Sequence, residues 1–216
     1  TYTVSYTAND QTLTVNYLNG DSEEKEALKD AYTADTAYDA AYDLTEQKEP
    51  TLDVGEDHYV LDSMDGDPLT GTVKDNVVVN LYYSLDADED GTPDKYEKTV
   101  TYKAVNGYFN NDPQLTETSK EYTIATKDEN GFWSVKYPTL TEIPEASANT
   151  GYEGGIWEPE TPTDKTEVRD NITYTITYTP KDDRLIYNAN GGTGSMVPTE
   201  GKVDQEVTVA ENEFTR

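Results

Sequence analysis

The sequence predicts a mainly β protein, made of small tandem modules arranged end to end, with one short helix in the first module. Segments of alternating Thr, Val, Ile and Tyr recur along the 216 residues. Such alternation is typical of half-buried strands. One type of segment, which ends in Asn-Gly, also recurs at a nearly constant spacing, which indicates repeated supersecondary units rather than one large domain.

The first recurring segment is a strand that ends in an Asp-containing turn. Because it stands at the end of each predicted repeat, we name it the closing strand. Its first and third copies are nearly the same string. The three copies are Thr1–Asp10 (TYTVSYTAND), Val77–Asp86 (VVVNLYYSLD) and Thr173–Asp182 (TYTITYTPKD).

The second recurring segment, the opening strand, runs into Asn-Gly. Asn19, Asn106 and Asn190 are 87 and 84 residues apart, so the period is near 85 residues. Asn and Gly tolerate a positive φ, and each opening strand is therefore expected to turn back as a hairpin. The three copies are Leu13–Gly20 (LTVNYLNG), Val100–Gly107 (VTYKAVNG) and Leu185–Gly191 (LIYNANG).

Module boundaries are expected where a closing strand meets the next opening strand. Residues 1–10 would be the closing strand of a preceding module, 11–84 the first module, 85–97 a junction, and 98–181 the middle module. Residues 184–216 fall short of one period and would be a truncated module. The sequence begins inside a strand pattern without a signal peptide. We therefore expect a piece of a longer chain, with any signal peptide and anchor lying elsewhere.

One stretch of the first module favours a helix. Asp21 followed by Glu24 is a capping-box pattern, and acidic residues fill the first turn. A short apolar face follows, made of Ala27, Leu28, Ala31 and Tyr32. The sequence therefore predicts one short helix that crosses a mixed sheet.

The composition narrows the classes of partner. The 44 Asp and Glu residues against 16 Lys and Arg give a formal net charge of -28, which repels nucleic acid and anionic membranes. No apolar run is long enough to insert in a membrane. Acidity of this kind is also typical of disorder. However, 18 Tyr and the β-branched runs favour ordered strands.

The chain lacks the groups that most enzymes use. It has no cysteine and a single histidine, His58, at the start of a predicted strand. Paired carboxylates abound, but among 44 acids some pair always has a suitable spacing. Neither a P-loop nor a dinucleotide fingerprint is present. We therefore expect no catalytic residues and no enzymatic activity.

One motif predicts a metal site. The run from Asp86 to Glu97 reproduces the twelve-position calcium-loop pattern, with Gly91 at the sixth position for the sharp turn. The alternative interpretation is an acidic, solvated linker. Strand patterns on both sides disfavour an EF-hand. The predicted calcium ligands are Asp86, Asp88, Asp90, Thr92 through its carbonyl, Asp94 and Glu97.

The residues also resemble known families. Residues 11–84 resemble a mucin-binding (MucBP-type) repeat through LTVNYLNGD, Asp35-Thr36-Ala37-Tyr38 and the block from His58 to Tyr83. Residues 184–216 resemble the first half of a Listeria-Bacteroides (internalin B-repeat type) module, through LIYNANGGTG, Gly201 before Val207-Thr208-Val209, and Phe214-Thr215-Arg216. The middle module resembles a longer B-repeat through VTYKAVNG, Gly151-Tyr152, Gly155-Ile156-Trp157 and ITYTITY.

These resemblances imply β-grasp-like (ubiquitin-like) modules in a secreted protein of a Gram-positive cell wall. The implied role is extracellular adhesion to mucin or other host glycans, weak per module, by a monomer within a longer repeat array. With the predicted calcium loop, the junction would be stiffened by the ion. A stalk without a ligand and an accessory domain of a carbohydrate-active enzyme remain alternatives.

Aromatic side chains are candidates for sugar contact. Tyr152 and Trp157 flank a Gly-rich loop, and Phe132 and Trp133 follow Asn130-Gly131. The alternative is that Trp157, which stands where the B-repeat has its Trp, is buried against the sheet. Intramolecular isopeptide bonds stay open, because the sequence singles out no Lys, Asn and acid trio.

Overall fold

A computed structural model describes residues 2–4 and 9–216 of the chain. Within them the structure is mainly β, with two short 3-10 helices at Thr45–Gln47 and Asp94–Tyr96. In this described part, no helix has the length and apolar character needed to span a bilayer. The strands are β1 (Asp10–Asn19), β2 (Ala27–Ala37), β3 (Ala41–Asp43), β4 (Thr51–Val54), β5 (Asp57–Gly66), β6 (Thr70–Thr72), β7 (Val77–Leu85), β8 (Glu97–Val105), β9 (Gly107–Phe109), β10 (Glu117–Thr123), β11 (Ala125–Lys127), β12 (Trp133–Val135), β13 (Ala146–Ala148), β14 (Tyr152–Glu158), β15 (Ile172–Pro180), β16 (Asp182–Leu185) and β17 (Thr199–Lys202).

The chain divides into two compact units. The first unit contains the described residues up to Lys98, and also Tyr122–Pro138. The second contains Thr99–Glu121 and Thr139–Arg216. The chain therefore passes between the two units three times.

The first unit is built on a five-stranded sheet in the order β2-β1-β7-β5-β4. Its central pair, β1 and β7, is parallel, and the outer pairings are antiparallel. Alternate residues of the two central strands face the core because successive side chains of a strand point to opposite faces. The core is formed by Leu13, Val15, Tyr17, Leu44, Leu52, Leu61, Val73, Val77, Val79, Leu81 and Tyr83.

The helix predicted over residues 21–32 is wrong. Residues 27–37 form strand β2, which pairs antiparallel with β1. Leu28 and Tyr32 pack against the core as the prediction required, but Ala27 and Ala31 are exposed. The alternating half-buried positions from Tyr32 to Thr36 fit the two-residue period of a strand. Pairing with β1 therefore overrides the local helical pattern.

A hairpin from the middle of the sequence belongs to the first unit. Strands β11 and β12 pair antiparallel, with Lys127 opposite Trp133. Phe132 packs against the core of the first unit, and the rings of Trp133 and Tyr96 stack with centroids 5.9 Å apart. The backbone N–H of Ile124 donates to the carbonyl of Tyr96 at 2.7 Å. The hairpin therefore covers part of the first unit.

The second unit is built on a four-stranded sheet in the order β10-β8-β15-β14. Its central strands, β8 and β15, are again parallel, with Val100 opposite Ile172. Aromatic rings fill its interior: Tyr102 stacks on Tyr174 with centroids 5.8 Å apart. Both units thus place an opening strand beside its closing strand as a central parallel pair.

The two outermost recurring segments differ from these central pairs. The third opening strand was predicted over residues 185–191, but β16 ends at Leu185, and within the described residues it pairs with β17 alone, over four residues. The strand pattern beyond Leu185 therefore lacks a ladder partner. Residues 1 and 5–8 of the closing strand predicted over Thr1–Asp10 lie outside the described residues, and Asp10 begins β1.

Candidate calcium site and aromatic surfaces

The predicted calcium loop begins where the closing strand of the first unit ends. Strand β7 ends at Leu85, and the backbone N–H of Asp86 still donates to the carbonyl of His58 on β5 at 2.9 Å. At the other end, the 3-10 helix Asp94–Tyr96 leads directly into β8. The loop is thus flanked by strands and a 3-10 turn, without the two α-helices of an EF-hand.

The five predicted carboxylates fall into two overlapping groups of three. One group contains Asp86, Asp88 and Asp94, and a second contains Asp88, Asp90 and Glu97; in each, the oxygens lie within 4.8 Å of one another. Two oxygens bound about 2.4 Å from a shared calcium ion are at most about 4.8 Å apart. Asp88 belongs to both groups and links them. The donor set contains only oxygen, which suits calcium or magnesium and not zinc.

Backbone N–H groups hold the carboxylates in the loop. Asp86 accepts from Asp90 at 3.2 Å and from Gly91 at 3.0 Å. Asp90 accepts from Thr92 at 2.7 Å, and Asp94 accepts from Ala87 at 2.9 Å. Gly91 has a φ of +94°, which a residue with a side chain rarely adopts. These bonds gather the side chains without neutralising their charge.

Asp86 is the buried member of the group, with 0% of its surface exposed. Burial raises the pKa of its carboxyl group above the ordinary value, and the N–H bonds from Gly91 and Asp90 lower it in part. Loss of solvent disfavours the ionised form. A divalent cation in the loop would stabilise the ionised Asp86 carboxylate in place of the water that burial excludes.

The far end of the loop is fixed to the sheet. Lys95 Nζ lies 2.7 Å from Asp62 Oδ2 and 3.3 Å from Asp21 Oδ1. The hydroxyl of Tyr96 donates to Asp62 Oδ1 at 2.9 Å. Asp62 is buried, and a buried carboxylate needs hydrogen-bond partners. Lys95 and Tyr96 supply one to each of its two oxygens. The predicted ligand Asp94 is thus followed at once by two anchored residues.

Thr92 was predicted to contribute its carbonyl. The structure places it in the loop, where its N–H bond to Asp90 fixes the turn that follows Gly91. Coordination by the Thr92 carbonyl stays a prediction.

The two predicted sugar-contact residues lie on strand β14 but are not neighbours. A bulge at Gly154 and Gly155 separates them and shifts the register between Glu153 and Ile156. Trp157 packs edge-on to Tyr102 and stacks on Phe109, with centroids 6.3 Å away in both cases. Tyr152 is half-buried and donates from its hydroxyl to Asp204 at 2.7 Å. The ring of Trp157 is thus engaged in packing.

Sequence reasoning missed a polar surface on the first unit. Core residues of β1 and β7 alternate with Asn16, Asn80 and Tyr82, which face away from the core. Asp65 of β5 joins them through hydrogen bonds. The four residues come from three strands that are separated in sequence, so only strand register could have grouped them. We refer to Asn16, Asn80, Asp65 and Tyr82 as the outer-face ladder.

Comparison with known proteins gives distant likenesses only. No protein-family model matches the chain, and no characterised protein sequence matches it. Among solved structures, the chain is similar to the type 2 repeat of the mucus binding protein MUB from Lactobacillus reuteri, with 17% identity, a TM-score of 0.23, and coverage of 79% of this chain and 100% of that one. It is also similar to Mub-RV, with 18% identity, a TM-score of 0.24, and coverage of 79% and 99%. At this distance, the function of the chain has to be inferred from its own residues.

Proposed function

We propose that this chain is an adhesion segment of a multi-module protein on the outside of a bacterial cell wall. In this proposal, its β units contact mucin or other host glycans, and calcium in the loop from Asp86 to Glu97 stiffens the end of the first unit. The proposal keeps the role that the sequence resemblance implies and adds the geometry of the two units.

The repeated central strand pair carries this proposal. Each unit sets an opening strand parallel to its closing strand, and each begins the pair with an Asn side chain that accepts a backbone N–H. Repeated units suit adhesion because weak contacts of single modules are combined through effective concentration. The net charge of -28 repels sialylated or sulfated glycans, so contact has to come from short-range bonds to neutral sugars.

Calcium has a mechanical role in this function. The loop holds five carboxylates within twelve residues, and their mutual repulsion would favour an open loop without a cation. The convergence of their oxygens supports binding of an ion that removes this repulsion. Asp86 anchors the loop to β5 at one end, and Lys95 and Tyr96 anchor it to Asp62 at the other. A bound ion would join the two anchored ends.

The test is binding of the 216-residue chain to a glycan array that contains neutral, sialylated and sulfated mucin-type oligosaccharides, in calcium and in EDTA. We expect saturable binding to neutral members, with higher signals when the chain is displayed in several copies. Absence of saturable binding to every glycan in calcium would overturn the adhesion role.

A ligand-free spacer is the second candidate, and the doubly anchored calcium loop favours it. A spacer needs stiffness and no ligand, so it predicts calcium-dependent stabilisation together with an empty glycan array. The two functions therefore differ in the array result and share the calcium result.

A further inference from the structure

The outer-face ladder crosses the middle of the five-stranded sheet. Asn16 lies opposite Asn80 across the parallel pair, and Asp65 lies opposite Asn80 on the other side. Tyr82 follows Asn80 by two residues and is therefore on the same face. The ladder thus brings two amides, one carboxylate and one phenol together from three strands.

Hydrogen bonds fix every member of the ladder. Asn16 Nδ2 donates to Asn80 Oδ1 at 2.8 Å, and Asn80 Nδ2 donates to Asp65 Oδ1 at 2.7 Å. The hydroxyl of Tyr82 donates to Asp65 Oδ2 at 2.9 Å. This chain of bonds sets the orientation of both amides and of the phenol ring. Groups oriented before a ligand arrives lose less entropy when it binds.

A shallow cavity adjoins the ladder on the side of Tyr82. Its volume is about 280 Å³, and its lining is Gly20, Lys25, Asp62, Ser63, Asp65 and Tyr82. Lys25 Nζ donates to the carbonyl of Gly20 at 2.5 Å and lies 5.8 Å from the centroid of the Tyr82 ring. The cavity is therefore bordered by an aromatic ring, a cation and carboxylate oxygens.

These groups match the chemistry of a neutral sugar. A pyranose ring has an apolar face of C–H groups and a rim of hydroxyls that both donate and accept hydrogen bonds. An aromatic ring offers the apolar contact, while carboxylate and amide oxygens accept from hydroxyls and an ammonium donates to them. Asp65 would repel an anionic sugar at this short range, whereas the charge of Asp62 is paired with Lys95.

We propose that the outer-face ladder and its adjoining cavity form a subsite for one neutral hexose or N-acetylhexosamine unit. Tyr82 would contact the sugar face, Asp65 would accept hydrogen bonds from hydroxyls, and Lys25 would donate to a ring or hydroxyl oxygen. This inference rests on the proposed adhesion function and gives it a location. It moves the glycan contact from Tyr152 and Trp157 to the first unit.

The experiment uses the 216-residue chain and N-acetyllactosamine as the neutral probe, with its sialylated form as the charged comparison. Binding is followed by chemical-shift changes in ¹H-¹⁵N NMR spectra, which include the side-chain amides of Asn16 and Asn80. We expect both amides to shift with the neutral probe and the affinity for the sialylated probe to be lower.

Variants locate the subsite. Tyr82→Ala and Asp65→Asn should each weaken binding about tenfold, because one removes the ring and the other a charged acceptor. Tyr82→Phe keeps the ring and should retain most of the binding if Tyr82→Ala lowers stability. The matched control is Tyr38→Ala, since Tyr38 is 47% exposed and has Lys74 Nζ 5.2 Å from its ring centroid. This control should bind like the unaltered chain.

The outcomes separate the subsite from the function. If glycans bind to the array while Tyr82→Ala and Asp65→Asn bind as tightly as the unaltered chain, the subsite is wrong and the adhesion role stands. If no glycan binds, both are wrong, and the ladder only stabilises a solvent-facing sheet. Tighter binding of the sialylated probe would overturn the neutral-sugar chemistry.

Discussion

The side-chain oxygen of Asn76 accepts the backbone N–H of Thr12 at 2.9 Å, one residue before the central parallel pair of the first unit begins. The second unit has the same bond, from Thr99 to Asn171 at 2.7 Å. In both, the asparagine precedes the closing strand, and the threonine precedes the first residue of the opening strand that takes part in the parallel pairing. The bond satisfies a backbone donor at the start of the ladder.

Replacement of this asparagine should destabilise its own unit. Asn76→Ala leaves the Thr12 N–H to solvent and is expected to lower the free energy of unfolding by about 0.5–1 kcal/mol, the usual value for one exposed hydrogen bond. Amide exchange should accelerate in β1 and β7 and not in β8 and β15. The control is Asn149→Ala, an exposed asparagine outside the strands. Equal exchange in β1 for both variants would contradict the role of Asn76.

The positions of the central strands were predictable from the sequence, and their pairing was not. Alternation at Leu13, Val15 and Tyr17 fixes both the strand and its buried face. The parallel partner, Val77 opposite Leu13, lies 64 residues away, and no local pattern encodes that contact. Only the structure shows that each closing strand lies beside its opening strand.

The helix predicted over residues 21–32 is wrong for the same reason: local sequence does not encode strand pairing. The capping-box pattern and the apolar spacing near Leu28 are local signals, whereas the ladder of β1 is a tertiary one. Propensity differences are small compared with the burial and hydrogen bonding that a sheet partner provides. The strand therefore forms where local rules favoured a helix.

The two candidate sites also differ in whether local sequence could predict them. The calcium loop is contiguous, so its residue spacing alone predicted the convergence of Asp86, Asp88 and Asp94. The outer-face ladder is assembled from β1, β5 and β7, so it depends on strand register. Asn16 and Asn80 carried no signal of their own in the sequence.

The hairpin of β11 and β12 should stabilise the first unit, although its sequence lies between strands of the second. Phe132→Ala removes a ring that packs on the first core. We expect a loss of about 2 kcal/mol, below the about 3–5 kcal/mol for a fully buried aromatic residue. Amide exchange of β5 and β7 would measure it. Val135→Ala is the control, because Val135 is on the same hairpin and 54% exposed. Faster exchange confined to the second unit would contradict this assignment.

His58 offers a pH probe of the calcium loop. Its Nδ1 lies 2.6 Å from Asp53 Oδ1, and this hydrogen bond is the main reason that the pKa of His58 is raised. Desolvation lowers the pKa of His58, and the charges of Asp53, Asp86 and Glu89 raise it further. Because the folded pKa exceeds the unfolded one, the pair stabilises the fold below the unfolded pKa of His58. That contribution is lost as pH rises through the folded pKa.

Two changes should lower the pKa of His58. Asp53→Asn removes its principal partner, and calcium compensates the charges of Asp86 and Glu89. His58 is the single histidine of the chain, so one imidazole signal in an NMR titration reports both effects. Asp57→Asn, which changes an exposed acid next to His58 on β5, is the control for Asp53→Asn on β4. If calorimetry detects bound calcium while the titration of His58 stays unchanged, the ion binds elsewhere.

Calcium should raise the melting temperature of the first unit through the loop from Asp86 to Glu97. Extracellular sites commonly bind calcium at about 10⁻⁴ to 10⁻³ M, so about 1 mM calcium would add roughly 0.4–1.4 kcal/mol to the stability of the folded unit. Asp86→Ala removes the buried first ligand, and Glu97→Ala removes the last. Both variants should abolish the difference between melting curves recorded in calcium and in EDTA.

The controls separate a coordinated ion from general screening of charge. Asp30→Ala removes an exposed carboxylate of β2, away from the loop, and should keep the full calcium effect. Magnesium at the same concentration should stabilise less, because it requires a smaller octahedral shell and gives up its waters reluctantly. If calorimetry on the unaltered chain detects no binding at millimolar calcium, the loop is only an acidic linker, and its carboxylates converge through the N–H bonds alone.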